Sequence, residues 1–121
     1  MSKLKWNSPD SEDDLRNLLV DASYLTPVVF FKHSPRCGVS AHVLSDFEAG
    51  LSSNTEEAHL VMVDVVHKRM LARNLATLLE VPHQSPQILV VYSGKVQFHR
   101  SHFSIDANEV NQYLKTLRKK A

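Results

Sequence analysis

The chain has 121 residues, of which 43% are hydrophobic and 22% charged, values typical of one soluble globular domain. Fourteen Lys and Arg nearly balance thirteen Asp and Glu, so the formal net charge is +1 and a nucleic-acid partner is not expected. No apolar run is long enough to span a bilayer and no signal-peptide pattern is present, so we expect a cytoplasmic protein without a membrane partner. The single cysteine, Cys37, excludes an intrachain disulfide and a Cys-rich zinc site.

The first half of the sequence predicts a strand, a helix, a second strand and a second helix. A short edge strand is expected at residues 3–6, and the capping side chains and acids that follow predict a helix ending before Pro27. Residues 28–31 are an apolar, β-prone run typical of a strand covered on both faces. The second helix is predicted to begin near Cys37 and to end at the break around Gly50.

The second half predicts a strand, a helix, a hairpin and a last helix. Residues 60–66 indicate a buried strand, and a third helix is outlined by Met70, Leu71, Asn74, Leu75, Leu78 and Leu79. Ser93-Gly94 lies between two β-prone runs and predicts a hairpin turn, and Asp106 is expected to cap the last helix. Alternating strands and helices closed by one hairpin predict an α/β fold, with a central mixed sheet flanked by helices on both faces.

Cys37 is the first candidate for chemistry. A thiol reacts as the thiolate, and its pKa falls at a helix N-terminus beside cationic side chains. Arg36 is adjacent to Cys37, and Lys32 and His33 lie just upstream. Most lone cysteines are small buried hydrophobes, but a polar loop at a strand-to-helix junction indicates the carboxyl edge of a sheet, where open α/β sheets hold their sites. We therefore predict that Cys37 is a nucleophile.

Two further residues complete this candidate site. Ser40 occupies the place of the second cysteine of a Cys-x-x-Cys redox motif, where it can donate a hydrogen bond to the thiolate or serve as an ordinary polar residue of the first helical turn. Pro86 opens a strand that otherwise looks buried, where proline costs a ladder hydrogen bond. A cis Ser85-Pro86 bond would turn the backbone toward the thiol and free main-chain groups for an extended substrate. General base rates favour the alternative, a trans proline that ends a loop, whereas the position between a helix and a hairpin favours cis, so the sequence leaves the isomer open.

Three stretches, together with this order of elements, resemble the monothiol bacilliredoxins, the YtxJ-like bacillithiol-system proteins of the thioredoxin fold. The stretches are residues 31–40, residues 83–87, and residues 94–96 with 99–102. The likeness extends over essentially the whole chain and implies a single thioredoxin-like domain over residues 1–121. The dipeptide Gly38-Val39 differs from the Pro-Ile of many members, so no redox potential is carried over.

The resemblance implies a thiol–disulfide oxidoreductase with no bound cofactor and with bacillithiol as co-substrate. Cys37 would take bacillithiol from an S-thiolated cytosolic protein, and because Ser40 cannot form a disulfide, a second external thiol would clear the product. The residues expected to bind substrate are Lys32, Arg36, Gly38, Ser85 and Pro86. Independently of the resemblance, His33 and His83 are expected either to neighbour the thiol and shift its charge or to be plain polar residues at the rim of the site. A monomer or weak dimer is expected.

Three other functions are compatible with the sequence. Residues 33–40 resemble an arsenate reductase motif, His-x-Pro-x-Cys-Gly-x-Ser, although in that family the cysteine follows the first strand. Residues 37–40 are one residue from the Cys-Gly-Phe-Ser of monothiol glutaredoxin iron–sulfur carriers, although their Gly-Gly-x-Asp stretch is missing. The third is a non-catalytic binding module with an incidental cysteine. A dedicated metal site is not expected, because His99 and His102 lie three apart on a strand or its exit and face opposite sides.

Overall fold

The fold was obtained as a computed structural model, which describes residues 4–51 and 58–120. The first helical segment contains a π-helical stretch (Leu18–Ala22) between two α-helical parts, and a 3₁₀ turn (His102–Ser104) precedes the last helix. The other elements are α1 (Glu12–Asn17), α2 (Ser23–Leu25), β1 (Val28–His33), α3 (Gly38–Gly50), β2 (His59–Asp64), α4 (Arg69–Leu79), β3 (Gln87–Tyr92), β4 (Lys95–Ser101) and α5 (Ala107–Lys120). No helix in these ranges is long and apolar enough to cross a bilayer.

The four strands form one mixed sheet in the order β2-β1-β3-β4. β1 runs parallel to β2 and antiparallel to β3, which in turn pairs antiparallel with β4. The predicted mixed sheet is therefore confirmed. The predicted edge strand is not, because residues 4–6 lie outside any strand and only Asn7 makes a single parallel bridge, to Val61. Pro9 follows almost at once and has no N–H to continue such a ladder.

The side chains of β1 alternate between two apolar clusters, one on each face of the sheet. Val28 and Phe30 belong to a cluster with residues of α1 and α4. Val29 and Phe31 belong to the other, with residues of α3 and α5. All four are fully buried, and each contributes about 1.5–3 kcal/mol by leaving water. The same alternation assigns the next two residues of β1 to opposite faces.

β2 ends earlier than predicted, whereas the third helix lies where it was predicted. β2 stops at Asp64, because the carboxylate of Asp64 accepts the backbone N–H groups of Val66 and His67 at 2.9 Å each and turns the chain. The third helix is confirmed as α4, in which Met70 is 68% exposed and the buried face is formed by Leu71, Ala72 and Leu75.

The predicted hairpin turn is confirmed at Ser93 and Gly94, which have φ angles of 54° and 75°. Two consecutive positive φ angles are those of the tight turn that matches the twist of paired strands. Ser23 holds this turn from the side, because its carbonyl accepts Ser93 N–H at 2.7 Å and its hydroxyl accepts Gly94 N–H at 2.9 Å. The turn is thereby fixed to the first helical segment, and a Cβ on Gly94 would lie 2.6 Å from the hydroxyl of Tyr24.

Candidate active site

Cys37 lies at the N-terminus of α3, as predicted. It is the N-cap residue, with extended backbone angles, and its carbonyl accepts the N–H of Ala41 at 3.0 Å. The loop from the end of β1 closes on itself, because Cys37 N–H donates to Ser34 O at 3.1 Å. The thiol is exposed, and so is the neighbouring Arg36. A solvent-accessible sulfur thus lies at the positive end of a thirteen-residue helix.

The Ser85-Pro86 bond is cis, the isomer that the position of Pro86 between a helix and a hairpin favours. Lys32 at the end of β1 pairs with Gln87 at the start of β3, so the loop leading to Cys37 and the proline loop leave the sheet at the same place. Pro86 itself is buried, and its carbonyl accepts the N–H of His102 at 2.9 Å. Three segments of the chain therefore meet at this end of the sheet.

Ser40 is fully buried and bonds to the loop that precedes Cys37. Its hydroxyl accepts the N–H of Ser34 at 3.0 Å and lies 2.7 Å from Nδ1 of His33. Among the hydrogen bonds of the described residues none joins Ser40 to Cys37, so the predicted hydrogen bond to the sulfur is not observed. The hydroxyl bonds instead to the backbone of Ser34 and to the ring of His33.

His33 is half-buried at the end of β1, on the α3 face of the sheet. Its ring packs edge-on to Phe31 with centroids 6.4 Å apart. Burial lowers the pKa of His33, while the negative charges of Asp64 and Glu48 act in the opposite direction. The direct partner of His33 in the structure is Ser40, and its influence on the charge of the thiol stays a prediction.

Lys32 faces the other side of the sheet and is fully buried. Its ammonium lies 3.1 Å from Nδ1 of His83, and burial lowers the pKa of Lys32 to about 8. The role of Lys32 in binding substrate stays a prediction, and its side chain has no exposed surface in this structure. Lys32 contacts the segment that leads to Pro86.

His83 is exposed and bonds to Lys32. Burial of its ring lowers the pKa of His83, and the positive charges of Lys32 and Arg73 lower it further. The neighbouring Gln87, which the sequence did not single out, is also buried and donates from Nε2 to Pro82 O at 3.1 Å. Both contacts hold the loop in front of the cis proline.

The other residues predicted to bind substrate differ in accessibility. Gly38 is exposed next to Cys37, and a Cβ built on it would meet no atom within 4 Å, so the space beside the thiol is open. The hydroxyl of Ser85 is buried and has no hydrogen-bond partner in the part of the chain that the structure describes. Open space at Gly38 and the exposed Arg36 therefore form the accessible side of the site.

Sequence reasoning missed one contact that shapes the electrostatics of the site. Trp6 donates from Nε1 to the carboxylate of Glu48 at 2.7 Å. Its ring also packs against Phe31 and Phe47, with centroids 6.1 and 6.4 Å apart. Trp6 thereby fixes the Glu48 charge that acts on His33. The two partners are 42 residues apart, and no local pattern signals such a pair.

This arrangement defines a thiol–disulfide oxidoreductase class, the thioredoxin fold with one cysteine. A solved structure described as an oxidoreductase with a thioredoxin fold matches with a TM-score of 0.73 and 24% identity, covering 87% of this chain and 89% of its own. Thioredoxin from Trypanosoma brucei brucei matches with a TM-score of 0.71 and 17% identity, covering 95% and 92%. Thioredoxin from Malassezia sympodialis matches with a TM-score of 0.70 and 13% identity, covering 96% and 93%.

A match to a protein family is more specific than a match to a fold. Residues 10–110, which include Cys37 and Pro86, match the family described as monothiol bacilliredoxin BrxC. The chain belongs to this family, and its single cysteine agrees with a monothiol redox protein.

Proposed function

We propose that the protein removes bacillithiol from S-bacillithiolated cytosolic proteins by forming a mixed disulfide on Cys37. The observation that carries the proposal is the exposed thiol of Cys37 at the N-terminus of α3, in a chain of the bacilliredoxin family. The Cys37 thiolate attacks the bacillithiol sulfur of the substrate disulfide. The new Cys37–bacillithiol disulfide forms as the old bond breaks, and the substrate protein leaves as a thiolate.

A second thiolate from outside the chain completes the cycle. It attacks the bacillithiol sulfur, forms a new disulfide with it and returns Cys37 as a thiolate, so the electrons come from the external thiol. Ser40 takes no part as a nucleophile, and the chain has no second cysteine. The reaction needs no bound cofactor.

Arg36 is the residue best placed to hold the small thiol. Its side chain is exposed and adjacent in sequence to Cys37, whereas Lys32 is buried on the other side of the sheet. A guanidinium binds carboxylates through two parallel hydrogen bonds, which suits the carboxylates of bacillithiol. The open space at Gly38 leaves room for a ligand beside the sulfur.

Intact mass spectrometry tests the proposal directly. A single-cysteine protein capped with bacillithiol is mixed with the wild-type chain and, separately, with Cys37→Ser. We expect the wild type to gain the mass of bacillithiol while the substrate loses it, and the variant to gain nothing. The same substrate capped with glutathione measures selectivity, and Arg36→Gln should reduce the preference for bacillithiol. If Cys37 never acquires bacillithiol, the proposed function is wrong.

A further inference from the structure

Lys32 carries a buried positive charge that has no acidic partner within residues 4–51 and 58–120. Its side chain is fully buried, and none of the ion pairs in these ranges includes it. Its ammonium contacts the ring of His83, whose Nδ1 lies 3.1 Å away. Because buried charges are normally paired with an opposite charge, Lys32 leaves at His83 a positive potential that these ranges do not neutralise.

The contact with Lys32 determines which nitrogen of His83 carries hydrogen. An ammonium has three hydrogens to donate and no lone pair to accept with. Nδ1 of His83 is therefore the acceptor, and a neutral imidazole that accepts at Nδ1 carries its hydrogen at Nε2. Because the pKa of Lys32 lies at about 8, the ammonium form predominates at pH 7. His83 is thus a hydrogen-bond donor at Nε2.

This donor faces away from the buried side of the ring. Nδ1 faces the ammonium of Lys32, Nε2 lies on the other side of the imidazole, and His83 is exposed. Arg73 on α4 is also exposed, and its charge, like that of Lys32, lowers the pKa of His83. Both charges that act on the ring are therefore positive. The ligand chemistry that fits an N–H donor in such surroundings is an anion with acceptor oxygens.

We propose that His83 binds a carboxylate through its Nε2–H, and that Lys32 is the positioning residue that holds the ring in this form. His83 precedes the cis proline by three residues, and the proline loop leaves the sheet beside the loop of Cys37. The place of this site in the reaction rests on the proposed function. Two sources can supply the carboxylate there, namely bacillithiol and an acidic side chain of the S-thiolated protein.

Ring ¹⁵N spectra of the wild-type chain test the donor without any exchange chemistry. At pH 7, His83 should have an unprotonated Nδ1 and a protonated Nε2. Succinate, a plain dicarboxylate, should shift the Nε2 signal of His83, whereas sodium chloride at equal ionic strength should not. His42 is the internal control, because its ring already pairs with the carboxylate of Asp46 at 3.3 Å. A protonated Nδ1, or equal responses to succinate and chloride, would overturn the proposal.

Lys32→Met separates the positioning role from a structural one. Without the ammonium, Nδ1 loses its donor, so His83 should populate both tautomers. Its titration should move to higher pH, because one of the two positive charges that lower the pKa of His83 is gone. Succinate should bind about fivefold more weakly. Arg73→Gln should weaken succinate binding without changing the tautomer. An unchanged tautomer of His83 in Lys32→Met contradicts the positioning role.

Exchange kinetics identify the source of the carboxylate. One substrate protein is capped either with bacillithiol or with 2-mercaptoethanol, which has no carboxylate. If bacillithiol is the source, His83→Leu should slow transfer about tenfold, equivalent to about 1.4 kcal/mol, with the bacillithiol cap alone. If the protein is the source, both caps should be slowed alike. His83→Gln, which keeps an acceptor and a donor, should stay within about twofold of wild type.

The outcomes of these experiments are distinguishable. Unchanged rates of His83→Leu with both caps would refute the carboxylate site. Absence of any transfer by the wild type would refute the proposed function, while the tautomer of His83 and its response to succinate would still test the site. His42→Leu is the matched control for the kinetics, because His42 is an exposed histidine whose charged partner is an acid.

Discussion

The buried amine of Lys32 makes a strong prediction about stability. Its pKa falls from 10.5 to about 8 because the folded chain removes the ammonium from water. Each pKa unit corresponds to about 1.4 kcal/mol, so keeping the proton at neutral pH costs the folded state about 3 kcal/mol. Lys32→Met removes this cost and keeps a side chain of similar length. Loss of the contact with His83 destabilises the variant by about 1 kcal/mol. We therefore expect the free energy of unfolding of Lys32→Met to exceed that of the wild type by about 2 kcal/mol at pH 7.

The sign of the pH dependence follows from the direction of the shift. The unfolded chain holds the Lys32 proton more tightly than the folded chain, so the penalty is complete below about pH 8. It shrinks as the pH rises from about 8 to 10.5, and the wild type gains stability relative to Lys32→Met over that window. At pH 10 the advantage of the variant should be small or absent.

Urea unfolding of both proteins at a series of pH values between 7 and 10 measures this difference, in which the other titrating groups cancel. Lys95→Met is the control, because Lys95 is exposed on β4 and its replacement should change the free energy of unfolding by less than about 0.5 kcal/mol. A constant difference between wild type and Lys32→Met at all pH values, or a variant less stable than wild type at pH 7, would refute the reasoning.

Two other predictions concern the hairpin turn and the end of β2. Gly94→Ala should lower the free energy of unfolding by about 1–3 kcal/mol, because its φ is positive and the new Cβ would lie 2.6 Å from the Tyr24 hydroxyl. Gly38→Ala, whose Cβ meets open space, is the control, and equal effects in urea would contradict this. Burial alone would raise the pKa of Asp64, but hydrogen bonds from His67 and Val66 lower it. Asp64→Asn should therefore lose under about 1 kcal/mol at pH 7, and the loss should shrink as the pH falls below 3.8 and through the lowered pKa of Asp64, so a loss that stays constant in acid would count against it.

Sequence patterns predicted most of the fold because its signals are local. The apolar run of β1, the Ser93-Gly94 turn and the helix start at Cys37 each depend on residues close in the chain. The isomer of Pro86 stayed open at the sequence level, because base rates favour trans while its place between a helix and a hairpin favours the cis bond that the structure has. The prediction of an edge strand near the N-terminus was wrong. A strand forms only where it can pair with a neighbouring strand, and Pro9 prevents this pairing from continuing along the chain.

The site was less predictable, because its contacts join distant residues. Composition and spacing identified Cys37, Ser40 and Pro86, yet nothing local revealed that the Ser40 hydroxyl is taken by Ser34 and His33. Cationic charge near the thiol was read from sequence proximity alone. In the tertiary structure Lys32 is buried and Arg36 is exposed, and their distances from Cys37 along the sequence do not reveal this difference.

The alternating side-chain directions along β1 explain why neighbouring residues of this strand contact different parts of the site. Lys32 and His33 are consecutive, so their side chains leave opposite faces of the sheet. Lys32 meets His83 beneath the proline loop, and His33 meets Ser40 beneath the helix that carries Cys37. One strand end thus holds both loops of the site through two separate titratable groups. Arg36, beyond the end of the strand, remains exposed, so the cation available to a substrate is the one that neither face of the sheet buries.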